Sequence, residues 1–161
     1  QVAALEVGDI AVLSNTGLAA LSVSAIGGLN QDQIGGLETT QLAAFTATQI
    51  AGISATGMTA ISGVRLAALS TTQLGALTSA QVGALAAADI AGLSTTQLRS
   101  LSTTGVGGLE AEDIAGLSAT QVQSLTTTQV AAFSTTAVSN LSATDVGAHL
   151  RAAQDGRGVG P

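Results

Sequence analysis

A strict eight-residue period runs from residue 5 to residue 148 in eighteen consecutive units, and it constrains the fold more than any other feature of the chain. With Leu5 taken as position 1, that position is Leu, Ile or Phe in every unit, as at Leu37, Phe45, Ile53, Leu77 and Leu141. Position 6 is as strict, holding Ile10, Leu18, Ile34, Met58, Leu74, Val82, Leu98 and Val146 among others. Position 2 is Ser, Thr or Asn in fourteen units, position 5 is Gln or Asp in twelve, and positions 7 and 8 are mostly Ala or Gly.

The order apolar, Ser/Thr, two variable residues, Gln/Asp, apolar describes the start of a helix. A hydroxyl at position 2 serves as N-cap by accepting from the backbone N–H of position 5, and the Gln there reaches back to close a capping box. Positions 1 and 6 then stand at N′ and N4, the pair that forms a hydrophobic staple. Asp at position 5 gains further from the partial positive charge of the first turn. A single continuous helix is excluded, because eight residues leave the apolar pair drifting by roughly 80 degrees per unit and no face stays buried. The expectation is an all-α solenoid of short capped helices of about six residues. Their kinks fall at positions 8 and 1, where Gly28, Gly36, Gly52, Gly92, Gly108 and Gly116 are expected to adopt positive φ.

The alternative is a β-solenoid, suggested by Thr at position 4 in eleven units. Residues three apart on a strand face opposite ways, so the two apolar ladders would not share an interior, and the capping pattern would have no role. Isolated helices this short are unstable in water, so stacking must supply the stability. Ala and Gly at positions 7 and 8 let layers approach and bury the ladders at positions 1 and 6 as one core.

Composition bears on what such a rod does. Lys, Cys, Trp and Tyr are absent, the only aromatics are Phe45 and Phe133, and the net charge is -6 with just four basic residues. That balance lacks a phosphate-binding footprint and argues against nucleic acid. No apolar run reaches the roughly 18 residues of a membrane span. The lone His149 has no thiol, lysine or tyrosine beside it, so a catalytic constellation is not expected, nor is a cofactor. Glu110, Glu112 and Asp113 fall at the N-cap, N2 and N3 of one unit, where carboxylates serve the helix start, so no metal site is expected there. The Gly-Gly pairs beginning at Gly27, Gly35 and Gly107 lack the Asp spacing and the nine-residue period of calcium-binding nonapeptides. Arg65 and Arg99 read as lone solvated charges.

The domain reading is an octapeptide-repeat solenoid over 1–148, made of a partial unit 1–4 and eighteen units over 5–148, followed by an array end and polar tail over 149–161. Gln1, Val2, Ala3 and Ala4 fit positions 5 to 8, so the chain opens inside a unit, as expected of a piece of a longer array. An apolar layer of Val2, Leu5 and Ile10 is then expected at that end, and with it head-to-tail self-association.

Residues 69–85 read Leu-Ser-Thr-Thr-Gln-Leu-Gly-Ala-Leu-Thr-Ser-Ala-Gln-Val-Gly-Ala-Leu. This run resembles the Leu-Thr-Thr-x-Gln-Val repeats of very large bacterial exported proteins of the adhesin or haemagglutinin-like kind. The resemblance implies a structural role outside the cell or at its surface, as a stalk, an adhesin rod or a filament subunit, and carries over no catalytic residues. Two other functions fit the pattern. A protein-binding scaffold would use variable positions 3, 4 and 7, and an ice- or mineral-binding surface would use the Thr ladder at position 4. A binding surface is expected to break the pattern over adjacent units, and the exceptions Arg65, Arg99 and Gln123 look scattered along the chain.

Overall fold

The structure is a computed structural model and describes residues 6–138. Among these residues it is all-helical, with seventeen helices of four to six residues, one per unit. The solenoid expectation holds, with helices often shorter than the length anticipated.

Each helix stacks on the third helix after it, so three units complete one turn and the rod has three sides. The first side stacks α1 (Val7–Ala11), α4 (Gln31–Gly35), α7 (Ala55–Met58), α10 (Ser79–Val82), α13 (Thr103–Val106) and α16 (Thr127–Ala131). The second stacks α2 (Asn15–Ala19), α5 (Thr39–Ala43), α8 (Gly63–Ala67), α11 (Ala87–Ala91), α14 (Ala111–Gly116) and α17 (Thr135–Val138). The third stacks α3 (Val23–Gly27), α6 (Ala47–Gly52), α9 (Thr71–Gly75), α12 (Thr95–Ser100) and α15 (Ala119–Ser124).

Within a unit the caps form as the sequence requires. The Ser14, Ser22, Ser54 and Ser118 hydroxyls accept from the backbone N–H three residues on, and Thr46, Thr78 and Thr126 do the same. The position 6 N–H donates to the position 2 carbonyl, as Leu74 does to Ser70 at 2.9 Å, and the next position 1 N–H closes the end, as Leu77 does to Leu74 at 3.2 Å. The two apolar ladders form the core. Leu18, Ile34, Leu42, Leu66, Leu74 and Leu98 from position 6 are fully buried, as are Leu37 and Leu125 from position 1, with Leu77 nearly so.

The glycines act differently from expectation. No described glycine has a positive φ. Gly28, Gly36 and Gly92 sit at φ -85, -78 and -75, and Ala20 and Ala44 take the same right-handed geometry at -83 and -76. The bend comes instead from the extended N-cap, such as Ser70 with ψ 160 or Ser14 with ψ 154. What the small residues provide is clearance between turns. A Cβ on Gly75 would stand 2.9 Å from the Ser100 carbonyl oxygen of the next turn, and one on Gly52 would stand 2.6 Å from Val23 Cγ1 of the turn before.

In the first described turn Leu13 and Leu21 are only partly buried, and Val7, Val12 and Val23 are exposed. Ile10, expected to be bare, is fully buried; Val2 and Leu5 lie outside the described residues. His149, the array end and the tail also lie outside them.

Candidate functional site

The residue type that does most to join one turn to the next is the position 5 glutamine. Gln33, Gln41, Gln49, Gln73, Gln81, Gln121 and Gln129 are buried, which is rare for a side chain with several hydrogen-bonding sites unless they are used. Gln49 shows how they are used. Its Oε1 accepts from the Thr46 N–H at 2.8 Å, closing the capping box, while its Nε2 donates backward to Leu21 O at 2.7 Å, Leu18 O at 3.1 Å and Ala19 O at 3.2 Å. One amide thus caps the start of its own helix and the end of a helix in the preceding turn. Gln73, Gln81, Gln121 and Gln129 repeat the arrangement onto carbonyls 28 to 31 residues earlier. The sequence pattern predicted the capping half of this role. The backward half was missed, since its partners lie three to four units earlier in the chain.

The three-unit turn also rearranges the apparent exceptions. Arg99 and Gln123 are three units apart at position 7, so they occupy consecutive turns of the third side. Arg65, Asp89 and Asp113 are likewise three units apart and stack at position 5 of the second side, which also carries Glu38, Glu110 and Glu112. From residue 37 to residue 138 only Arg99 places a charge elsewhere. The scatter seen along the chain therefore resolves into two alignments, one along the second side of the rod and one along the third. Nor are the two arginines fully solvated. Both are half-buried, and the Arg65 guanidinium donates to the Ala60 carbonyl at 3.4 Å.

Asp substitutes for Gln in two ways on the second side. Asp89 accepts the Gly63 N–H of the turn before at 2.7 Å, at the start of the one helix among the described residues with a serine N-cap, Ser62, that makes no side-chain cap hydrogen bond. Asp113 accepts the Glu110 N–H at 2.7 Å in a capping box, as its place at N3 predicts. Burial raises the Asp113 pKa above the ordinary aspartate value; the Glu110 hydrogen bond opposes this, and the Glu110 and Glu112 charges add to it. An open cleft runs past this cluster, lined by Gly107, Gly108, Leu109, Glu110, Ala111, Glu112 and Ser134. No group of three or more metal-ligating side chains is assembled among the described residues, and no helix among them is long and apolar enough to cross a membrane.

A family model described as the ALTTAQ repeat matches residues 2–39, 84–118 and 106–143, together more than half the chain. The chain belongs to the ALTTAQ repeat family. Residues 76–81, between the matched segments, read Ala-Leu-Thr-Ser-Ala-Gln, and the geometry gives the main letters of this hexapeptide a task each. Ala76 is the small residue at the bend, Leu77 is core, Thr78 is the N-cap and Gln81 is the tie to the turn before. Nothing among curated proteins or solved structures matches the chain.

Proposed function

We propose that this ALTTAQ array is a non-catalytic structural rod that serves outside the cell or at its surface as a stalk, an adhesin rod or a filament segment. The observation that carries the reading is the glutamine tie. Successive turns join through backbone carbonyls and a single repeated side chain, so the interface leaves the exposed position 4 free to vary and extends by adding units. The family membership supports the repeat role, and the resemblance to exported adhesin-like repeats supports the location. Head-to-tail association belongs to the same reading, because a turn built this way presents carbonyls and apolar residues to whatever stacks next.

The test is whether length follows unit number. Arrays with one or two extra three-unit turns should lengthen in small-angle scattering by a constant increment per turn, at constant cross-section. An array that grows wider instead would contradict the rod. Sedimentation at rising concentration tests association, and protease sensitivity of the array on intact source cells tests location. A second reading, a side-specific binding scaffold, is favoured by the alignment of Glu38, Arg65, Asp89, Glu110 and Glu112 on one side. Charge reversal at Glu110 and Glu112 should abolish partner capture under that reading and leave a passive stalk unaffected.

A further inference from the structure

We propose that the rod bends at two built-in seams, residues 53–68 and 101–116, about an unbroken glutamine spine on its third side. On that side position 5 is Gln49, Gln73, Gln97 and Gln121 in four successive turns. Each amide donates to the preceding turn: Gln49 to Leu21 O, Gln73 to Phe45 O, Gln97 to Ala67 O and Gln121 to Leu93 O. The other two sides lack this continuity. Position 5 is Gly57 and then Arg65 in the first seam, and Gly105 and then Asp113 in the second. The seams lie six units apart, two whole turns, so they fall on the same two sides, and the intervening turn has its first side tied again by Gln81.

Each seam residue fails the tie for a stated reason. Gly57 and Gly105 have no side chain, so the Ser54 and Ser102 hydroxyls still accept the helix N–H but no amide returns to the N-cap or reaches the turn before. At Gly105 the backbone itself closes in, where a Cβ would stand 3.0 Å from Leu77 O, the carbonyl that a glutamine would have bonded, while at Gly57 the Ile34 and Ile53 side chains fill the space. The Arg65 guanidinium turns to Ala60 O of the adjacent unit in its own turn, which spans nothing. The Asp113 carboxylate accepts from Glu110 and, when ionised, has no N–H to offer the carbonyls behind it. Separating turns at a tie breaks one amide hydrogen bond at Gln97 and two or three at Gln49, Gln73, Gln81 and Gln121, and strands their partners. Separating them at a seam breaks apolar contact without that loss, so the free energy of local opening is lower there. Because the third side stays tied through Gln73 and Gln121, the motion is a hinge rather than a dissociation.

Hydrogen exchange of the whole chain, followed by mass spectrometry, tests this. Amides of α7, α8, α13 and α14 should exchange about tenfold faster than those of α9, α10 and α15, the ratio expected from one lost hydrogen bond in the opening step. In the variant Gln121→Ala, α15 should rise to the exchange rate of α13 and α14. Seam helices that exchange no faster than α9 and α10, or rates that only decline from the two ends inward, would overturn the proposal. So would an α15 rate unchanged in a folded Gln121→Ala chain. Should that variant not fold, the pattern across the unaltered chain decides alone.

Discussion

Replacing Gln81 by Ala removes one complete tie from the middle of the rod. Gln81 is 2% exposed, and its Nε2 donates to Ile50 O and Ile53 O at 2.7 Å each while Oε1 accepts the Thr78 N–H at 2.9 Å. After truncation Ile50 O keeps the Ile53 N–H at 3.2 Å, but Ile53 O loses its side-chain partner in a buried setting and the Thr78 N–H loses its own in a part-buried one. Each such hydrogen bond contributes about 0.5–1.5 kcal/mol, and a stranded buried group costs about 1–3 kcal/mol, so the total should be about 2–4 kcal/mol with the small cavity included. The isosteric change Gln81→Glu separates the two halves of the role. Glutamate keeps the acceptor for Thr78 and exchanges the donor for an oxygen facing two carbonyls. It should therefore destabilise at neutral pH at least as much as alanine, and recover as acid protonates it. Denaturant unfolding followed by circular dichroism, repeated at several pH values, measures both. A cost below about 0.5 kcal/mol for both variants, the range of ordinary surface changes, would refute the tie.

Other consequences follow from the same geometry. Leu77→Asp, at a site 1% exposed, should cost several kcal/mol, while Thr78→Ala, which loses one cap, should cost about 1 kcal/mol; equal thermal shifts for the two would place the core in the wrong ladder. Gly28→Ala should be neutral or slightly stabilising, since its backbone is right-handed and a Cβ would meet Ala25 O at an ordinary 3.4 Å, whereas Gly75→Val should destabilise by about 1–3 kcal/mol through the Ser100 carbonyl. For Asp113 the folded pKa is raised, so the ionised form opposes folding at neutral pH and the penalty is relieved as pH falls through the folded value. Asp113→Asn, which keeps an acceptor for Glu110, should raise the unfolding midpoint at pH 7 and flatten its rise toward acid. An unchanged pH profile would remove Asp113 as the source.

Much of this fold was legible in one unit. Leu77, Thr78, Gln81 and Val82 announce a staple and a capping box, because caps and staples are local devices that need no knowledge of the rest of the chain. The number of units per turn is not a property of one unit, yet the sequence carries a trace of it. Residues 88–97 read Ala-Asp-Ile-Ala-Gly-Leu-Ser-Thr-Thr-Gln and residues 112–121 read Glu-Asp-Ile-Ala-Gly-Leu-Ser-Ala-Thr-Gln, a likeness at three-unit spacing that the octapeptide alone does not require. Seen at that spacing, Arg65, Asp89 and Asp113 line up, as do Arg99 and Gln123. The backward reach of the glutamines stayed hidden because the capping box already accounts for one end of the amide. The glycines misled for a different reason. Small size and positive φ are both glycine properties, and only the presence of Ala20 and Ala44 at equivalent bends shows that size is the one in use.

The claim that three capped helices make each turn is open to one direct measurement. The chain has no cysteine, and Thr48, Thr72, Thr96 and Thr120 stand on successive turns of the third side, so spin labels can be placed at 48 with 96 and at 48 with 120. Stacked helices about 9 Å apart predict separations growing by that increment per turn, to about 18 Å and then about 27 Å, label length aside. A three-unit β-solenoid rising about 4.8 Å per turn would give about 14 Å for the longer pair, and a continuous helix about 108 Å. Separations that follow the stacked-helix increment support the three-sided helical rod; a longer-pair distance matching either of the other architectures contradicts it.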